Sequence, residues 1–113
     1  MKRTFVETQL FSKQWRELGL GDEELRKLQT YLSENSHAGD MIQGTGGAIK
    51  LRWELHGSSK RDGMRVIYID LINTSRTHLI TCYAKPKKDT LTAAEKAIIK
   101  DTIKRITSPE RGN

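Results

Sequence analysis

The sequence predicts an α+β domain: an antiparallel sheet with an N-terminal αα-hairpin packed on one face and a C-terminal helix, in the order β-α-α-β-β-β-α. Three observations predict it. Apolar residues recur at helical spacing from Phe11 to Leu32, the period changes to two after a glycine-rich block, and Thr92 with Glu95 forms a capping box ahead of a last apolar stripe. Three consecutive strands joined by short turns imply antiparallel pairing, with the helices segregated to one face. The chain has 113 residues and no repeat, low-complexity tract or linker, so residues 1–113 read as a single domain.

Taken in order, Thr4-Phe5-Val6-Glu7-Thr8 alternates and reads as a short first strand. Phe11, Trp15 and Leu18 then mark a helix that Gly19 stops. A second helix opens near Gly21-Asp22-Glu23-Glu24, whose acids suit the positive end of the helix dipole. Leu25, Leu28 and Leu32 supply its buried stripe, and Asn35 with Ser36 ends it. Residues 39–47 hold four glycines and form a loop. Beyond it Ile49, Leu51, Trp53 and Leu55 face one side of a strand, while Lys50, Arg52 and Glu54 face the other. Residues 57–63 are a hairpin loop that carries Lys60 and Arg61. The largely apolar run from Met64 to Leu71 suits a central strand covered on both sides. Asn73-Thr74-Ser75 turns the chain, residues 77–85 form the last strand, and Pro86 stops it. In the final helix Ala94, Ile98, Ile99, Ile103 and Ile106 form the packing face, with Pro109 beyond its end.

The charge is concentrated. Residues 48–88 hold nine Lys/Arg against three acids, whereas the remainder holds eleven of each sign, so one central segment carries the whole net charge of +6. A polyanion partner would account for that concentration, because neutralising phosphates releases counterions; a solvated basic face is the plain alternative. Apolar runs never exceed four residues, which predicts no membrane span, and Glu7 and Gln9 interrupt any secretory signal. The single cysteine, Cys82, favours a reducing, cytoplasmic setting.

Common catalytic patterns are missing. His37, His56 and His78 show no metal-ligand spacing, Cys82 has no CxxC partner, and Gly44-Thr45-Gly46-Gly47 is neither a Walker loop nor GxGxxG. That glycine block reads first as a tight lead-in to the strand and second as a phosphate cradle. No metal or cofactor is expected. What remains is a basic set: Lys50 and Arg52 on one strand face, Arg65 at the start of the next strand, close to the hairpin bearing Lys60 and Arg61, and Lys85 ending the last strand, with Lys87 and Lys88 just after it. In an antiparallel sheet these converge on one surface, with Tyr68 and Tyr83 nearby. Such a surface can grip an RNA backbone while tyrosines and His56 offer stacking platforms. Metal-free RNA cleavage needs the 2′-OH proton removed, the leaving 5′-oxygen protonated and the phosphorane stabilised. Arginine and lysine supply the last as preorganised cations, and a lysine crowded by other cations gives up its proton more readily. Arg65 is the candidate phosphate contact, since guanidinium matches phosphate bidentately; a salt bridge to Asp62 is the alternative. Tyr68 reads mainly as a core aromatic and Cys82 as core, while Tyr83 divides between core and chemistry.

Four segments carry a resemblance: Gly-Asp-Met-Ile-Gln-Gly-Thr-Gly-Gly-Ala-Ile-Lys-Leu-Arg at 39–52, Lys-Arg-Asp-Gly-Met-Arg-Val-Ile-Tyr at 60–68, Leu-Ile-Thr-Cys-Tyr-Ala-Lys at 79–85 and Asp-Thr-Leu-Thr at 89–92. Together with the element order, they resemble the HigB branch of the RelE-like toxins over nearly the whole chain. The resemblance implies a RelE-like fold and a ribosome-dependent endoribonuclease, the toxin of a type II toxin–antitoxin pair, acting on mRNA in the ribosomal A site. It implies a cognate antitoxin, of the HigA-like helix-turn-helix kind, through which alone the complex would meet operator DNA. By motif, Lys50 and Arg52 match the basic strand pair, Arg65 the phosphate-stabilising arginine, Lys85 the basic position ending the last strand, and Lys60 and Arg61 the basic hairpin. Relatives place a tyrosine or histidine near the C-terminus as acid or base, but residues 86–113 contain neither. Proton transfer therefore falls to Tyr83, Lys85 or Lys87. A ParE-like gyrase poison shares the fold and is the alternative, as is a non-catalytic RNA-binding domain; the basic strands favour RNA.

Overall fold

The computed structural model describes residues 3–54, 63–84 and 91–108. They form β1 (Thr4–Glu7), α1 (Gln9–Glu17), α2 (Asp22–Glu34), β2 (Asp40–Met41), β3 (Ile49–Trp53), β4 (Met64–Leu71), β5 (Arg76–Ala84) and α3 (Ala93–Thr107). A turn of 3-10 helix over Ile72–Thr74 joins β4 to β5, and Ser75 completes it in the left-handed region at φ 54°.

The five strands lie in the order β1-β5-β4-β3-β2. Pairings β2–β3, β3–β4 and β4–β5 are antiparallel, but β1 runs parallel to β5, from Thr4 opposite Arg76 to Glu7 opposite Leu79. The sheet is therefore mixed, not antiparallel throughout. Alternation along Thr4–Glu7 predicts a strand but says nothing of its partner. That choice is made by contacts distant in sequence. The Thr8 amide donates to the Leu79 carbonyl at 3.1 Å, and the Thr8 hydroxyl donates to the Ile80 carbonyl at 2.6 Å. The same hydroxyl accepts from the Phe11 amide at 2.9 Å, so one side chain both caps α1 and ties it to β5.

Helices α1 and α2 cover one face of the sheet. Phe11 and Trp15 stack at 5.4 Å between ring centroids, and Leu28 and Leu32 join them over Ile49, Leu51, Met64, Val66, Tyr68, Leu79 and Cys82. Trp15 donates its indole N–H to the Gly21 carbonyl at 3.1 Å, which closes the hairpin. The other face is covered by α3, whose Ile99 and Ile103, with Leu91 ahead of them, pack on Ala48, Ile67, Ile69 and Ile80. The expectation that all helices share one face is thus corrected. β4 is apolar at both parities, so leaving its odd-numbered side uncovered would expose Ile67 and Ile69 to water. The packing stripe of α3 is also narrower than predicted: Ile99 and Ile103 are buried, Ile106 is half-buried, Ala94 is exposed and Ile98 is 62% exposed. A register shift at Ile67/Tyr68 leaves Ile80 without an opposite residue on β4. The capping box is as predicted, with Thr92 and Glu95 exchanging hydrogen bonds of 2.9 and 3.1 Å.

The glycine block is a structural turn. Gly44, Gly46 and Gly47 hold φ of 81°, 84° and 119°, which side chains rarely adopt. Buried Thr45 donates to the Ile42 carbonyl at 2.7 Å and accepts from the Ala48 amide at 3.1 Å. Just upstream, a side chain at Gly39 would place its Cβ 2.2 Å from the Lys50 carbonyl oxygen, so β2 can lie along β3 only with glycine there. This two-residue edge strand lies within residues 39–47, where the glycine content predicts a loop.

One buried ion pair anchors β1. The carboxylate of Asp70 is 1% exposed and pairs with Arg3, accepts from Thr77 Oγ1 at 3.2 Å, and has His37 Nε2 at 3.6 Å. Arg3 also donates through Nε to Thr77 Oγ1 at 3.1 Å. Replacing Arg3 leaves a buried carboxylate short of its main counter-charge. Arg3→Ala should lower unfolding free energy by about 3 kcal/mol in urea denaturation; a loss within about 0.5 kcal/mol, the level of an ordinary surface substitution, would show that the pair does not anchor the strand.

Candidate functional site

The register across β3, β4 and β5 sets Arg52 opposite Arg65 and Arg65 opposite Tyr83. The next row on the same face is Lys50, Ile67 and Thr81. Two rows along a strand are about 7 Å apart, and strands lie about 4.8 Å apart, so Lys50, Arg52, Arg65 and Tyr83 form one compact group. They lie on the α3 side of the sheet, where Tyr83 packs against the apolar cluster that holds Ile99 and Ile103. Leu91, which precedes α3, marks the border: it lines one groove with Lys50 and Lys96, and another with Tyr83 and Glu95.

Burial divides the group. Arg52 is exposed, Lys50 and Tyr83 are half-buried, and Arg65 is only 1% exposed. Like charges placed directly opposite on paired strands repel, and burial of one of them adds desolvation cost. The arrangement concentrates positive charge on one face of the sheet, with Arg52 and Lys50 at its outer surface. Such a face suits an anion, above all a polyanion backbone.

Tyr68 does not belong to this group. It stands three residues from Arg65, an odd offset, so it points to the opposite face, where it is fully buried and donates its hydroxyl to the Ser36 carbonyl at 2.9 Å. Burial pushes its phenol above the ordinary value. The expectation that Tyr68 lies near the basic surface is corrected: it is a core residue. Cys82 is core as well, its thiol pushed up to about 12 by burial, which leaves it inert as a nucleophile. Lys60, Arg61, Lys85 and Lys87 lie outside the described residues, as do His56, Asp62 and Lys88. The glycine block closes on its own backbone and packs near Ile69 and Ile103, away from the basic row. His78 pairs with Ile69 toward the far end of β5, and His37 sits beside Asp70. Among the described residues, no three His, Cys, Asp or Glu side chains gather as a metal site requires, and no helix is long and apolar enough to cross a membrane.

The sequence matches no known protein-family profile. Among solved structures, the chain is similar to a double arginine-to-alanine mutant of the E. coli toxin RelE in the free state. There identity is 22%, 94% of this chain and 99% of that chain are covered, and the TM-score is 0.58. It is also similar to a chain of the intact E. coli RelBE toxin–antitoxin complex, with 21% identity, 72% and 94% coverage, and a TM-score of 0.51. The fold is RelE-like.

The buried histidine offers a check on this geometry. Burial, and then the nearby charge of Arg76, hold His78 below the ordinary 6.5. The unfolded chain therefore takes up this proton first as pH falls. The stability that neutral His78 contributes is full above pH 6.5 and is lost as pH falls from there toward the folded value. In an NMR titration the His78 imidazole should stay neutral below pH 6.5; a midpoint at or above 6.5 would contradict its burial.

Proposed function

We propose that this chain is the toxin of a type II toxin–antitoxin pair, of the HigB branch, and that it cuts mRNA in the ribosomal A site without a metal ion. The observation that carries the reading is the cross-strand row Arg52–Arg65–Tyr83, with Lys50 beside it, on one face of a RelE-like sheet. The likeness to E. coli RelE, and to a chain of the RelBE complex, supports a toxin that works with an antitoxin.

In the cleavage proposed, the 2′-oxygen attacks the adjacent phosphorus and the P–O5′ bond breaks. The 2′-OH loses its proton, the 5′-oxygen gains one, and the products are a 2′,3′-cyclic phosphate and a 5′-hydroxyl. Arg52 meets the phosphate from the exposed side. Arg65, held rigidly within the sheet, adds a fixed positive charge behind it as the phosphorane forms. Lys50 positions the neighbouring phosphate. Tyr83, opposite Arg65, and Lys85, two residues further along, are the candidates for proton transfer, with Lys87 beyond them. Ribosomal RNA would supply the remaining orientation of the substrate. The hairpin cations Lys60 and Arg61 would extend the RNA contact. A HigA-like antitoxin would cover this face or hold the toxin off the ribosome, and would carry the operator DNA contact.

Induced expression followed by mapping of mRNA 5′-ends tests the reading. Wild type should generate new ends within translated frames. Arg52→Ala should lower their yield by roughly a hundredfold, the scale of losing one charge-stabilising donor. Arg65→Met, which keeps much of the buried volume, should abolish them while retaining the fold. Growth arrest without new mRNA ends, accompanied by gyrase-dependent DNA damage, would replace this reading with a ParE-like one.

A further inference from the structure

Lys96 is not among the cations the sequence singles out, yet the fold brings it beside one of them. A groove of about 330 Å3 runs between the β2–β3 edge and the first turns of α3, and Asp40, Met41, Gln43, Lys50, Leu91 and Lys96 line it. Lys50 enters from β3, and Lys96 from α3 one residue past the capping Glu95. Both are half-buried; a lysine in that position lays its aliphatic stem on the wall and keeps its charge at the rim. Met41 is 71% exposed, the highest value among the large apolar side chains described. The groove thus joins two cations from different elements with an open apolar surface, and Asp40, opposite Lys50 in the β2–β3 register, is the one acid among its described lining residues.

That chemistry matches a single-stranded nucleic acid: phosphates for the ammonium groups, and a base face for the thioether. Lys50 also belongs to the row beside Arg52, about 7 Å away along β3, a step of the order of one nucleotide in an extended strand. We propose that this groove continues the RNA path from the Arg52–Arg65–Tyr83 row, with a phosphate held between Lys50 and Lys96 and the adjoining base against Met41. The inference rests on the reading of the basic face as the RNA site, and it adds α3 to a surface otherwise built by the sheet. Asp40 weakens the grip and sets the path toward Lys96.

The test is equilibrium binding of a fluorescent, mixed-sequence single-stranded RNA to the full chain across a series of salt concentrations. Lys96→Ala should flatten the log–log salt dependence by roughly 0.7 and weaken binding about fivefold at 0.1 M salt, the loss of one phosphate contact. Lys96→Met, which keeps the stem, should lose as much, and Asp40→Asn should bind more tightly than wild type. Lys104→Ala, exposed on the same helix away from the groove, should change neither slope nor affinity. If Lys96→Ala and Lys96→Met bind like wild type while Arg52→Ala weakens, the groove proposal is overturned and the proposed function stands. If wild type does not bind RNA, the groove proposal falls as well, and the mapped mRNA ends decide the function separately.

Discussion

The arrangement of this molecule follows from covering β4 on both sides. Its even-numbered residues, Met64, Val66 and Tyr68, pack under the αα-hairpin, and its odd-numbered Ile67 and Ile69 pack under α3. The hairpin covers its side along most of the strand. α3 buries only Ile99 and Ile103 deeply, and Arg65, further along the same face, is buried as well. The odd face is divided in length. One end is an apolar interface, and the other is a basic surface with Leu91 at the border. Of the residues proposed to meet RNA, Arg52 is exposed, Lys50, Lys96 and Tyr83 are half-buried, and Arg65 is buried.

Much of this was legible in the sequence for a simple reason: period is local. The change from helical spacing to alternation at Ile49, the capping box at Thr92 and the turn after Leu71 are set by neighbours a few residues apart, and the observed bounds follow them closely. Partner choice is not local. Nothing in Thr4–Glu7 states that β1 will lie parallel to β5, because the contacts that decide it join Thr8 to Leu79 and Ile80, and Arg3 to Asp70. Nor does the stripe on α3 state which face of the sheet it will cover. β2 is two residues long, too short for a period to register, and its pairing depends on Gly39 admitting the Lys50 carbonyl.

The candidate site shows the same division. That Lys50 and Arg52 share a face is parity within one strand, and it holds. Parity also separates Arg65 from Tyr68, since their positions differ by an odd number; of the two tyrosines only Tyr83 shares a face with the cations. Burial of Arg65 was half legible, as an arginine in an apolar strand is already anomalous. Lys96 was invisible at that level, because its role depends on which edge of the sheet the start of α3 meets. Two arginines facing each other across paired strands, one of them buried, are the kind of local inconsistency that marks a functional surface.

The claim that RNA is met by the α3 side of the sheet is most directly tested by imaging. Cryo-electron microscopy of the Arg65→Met protein on bacterial ribosomes programmed with mRNA should show A-site mRNA lying across β3 and β5, with its backbone against Lys50 and Arg52 and the αα-hairpin turned away. An mRNA strand seated on α1 and α2, or a protein bound with the basic face turned from the mRNA, would contradict the account.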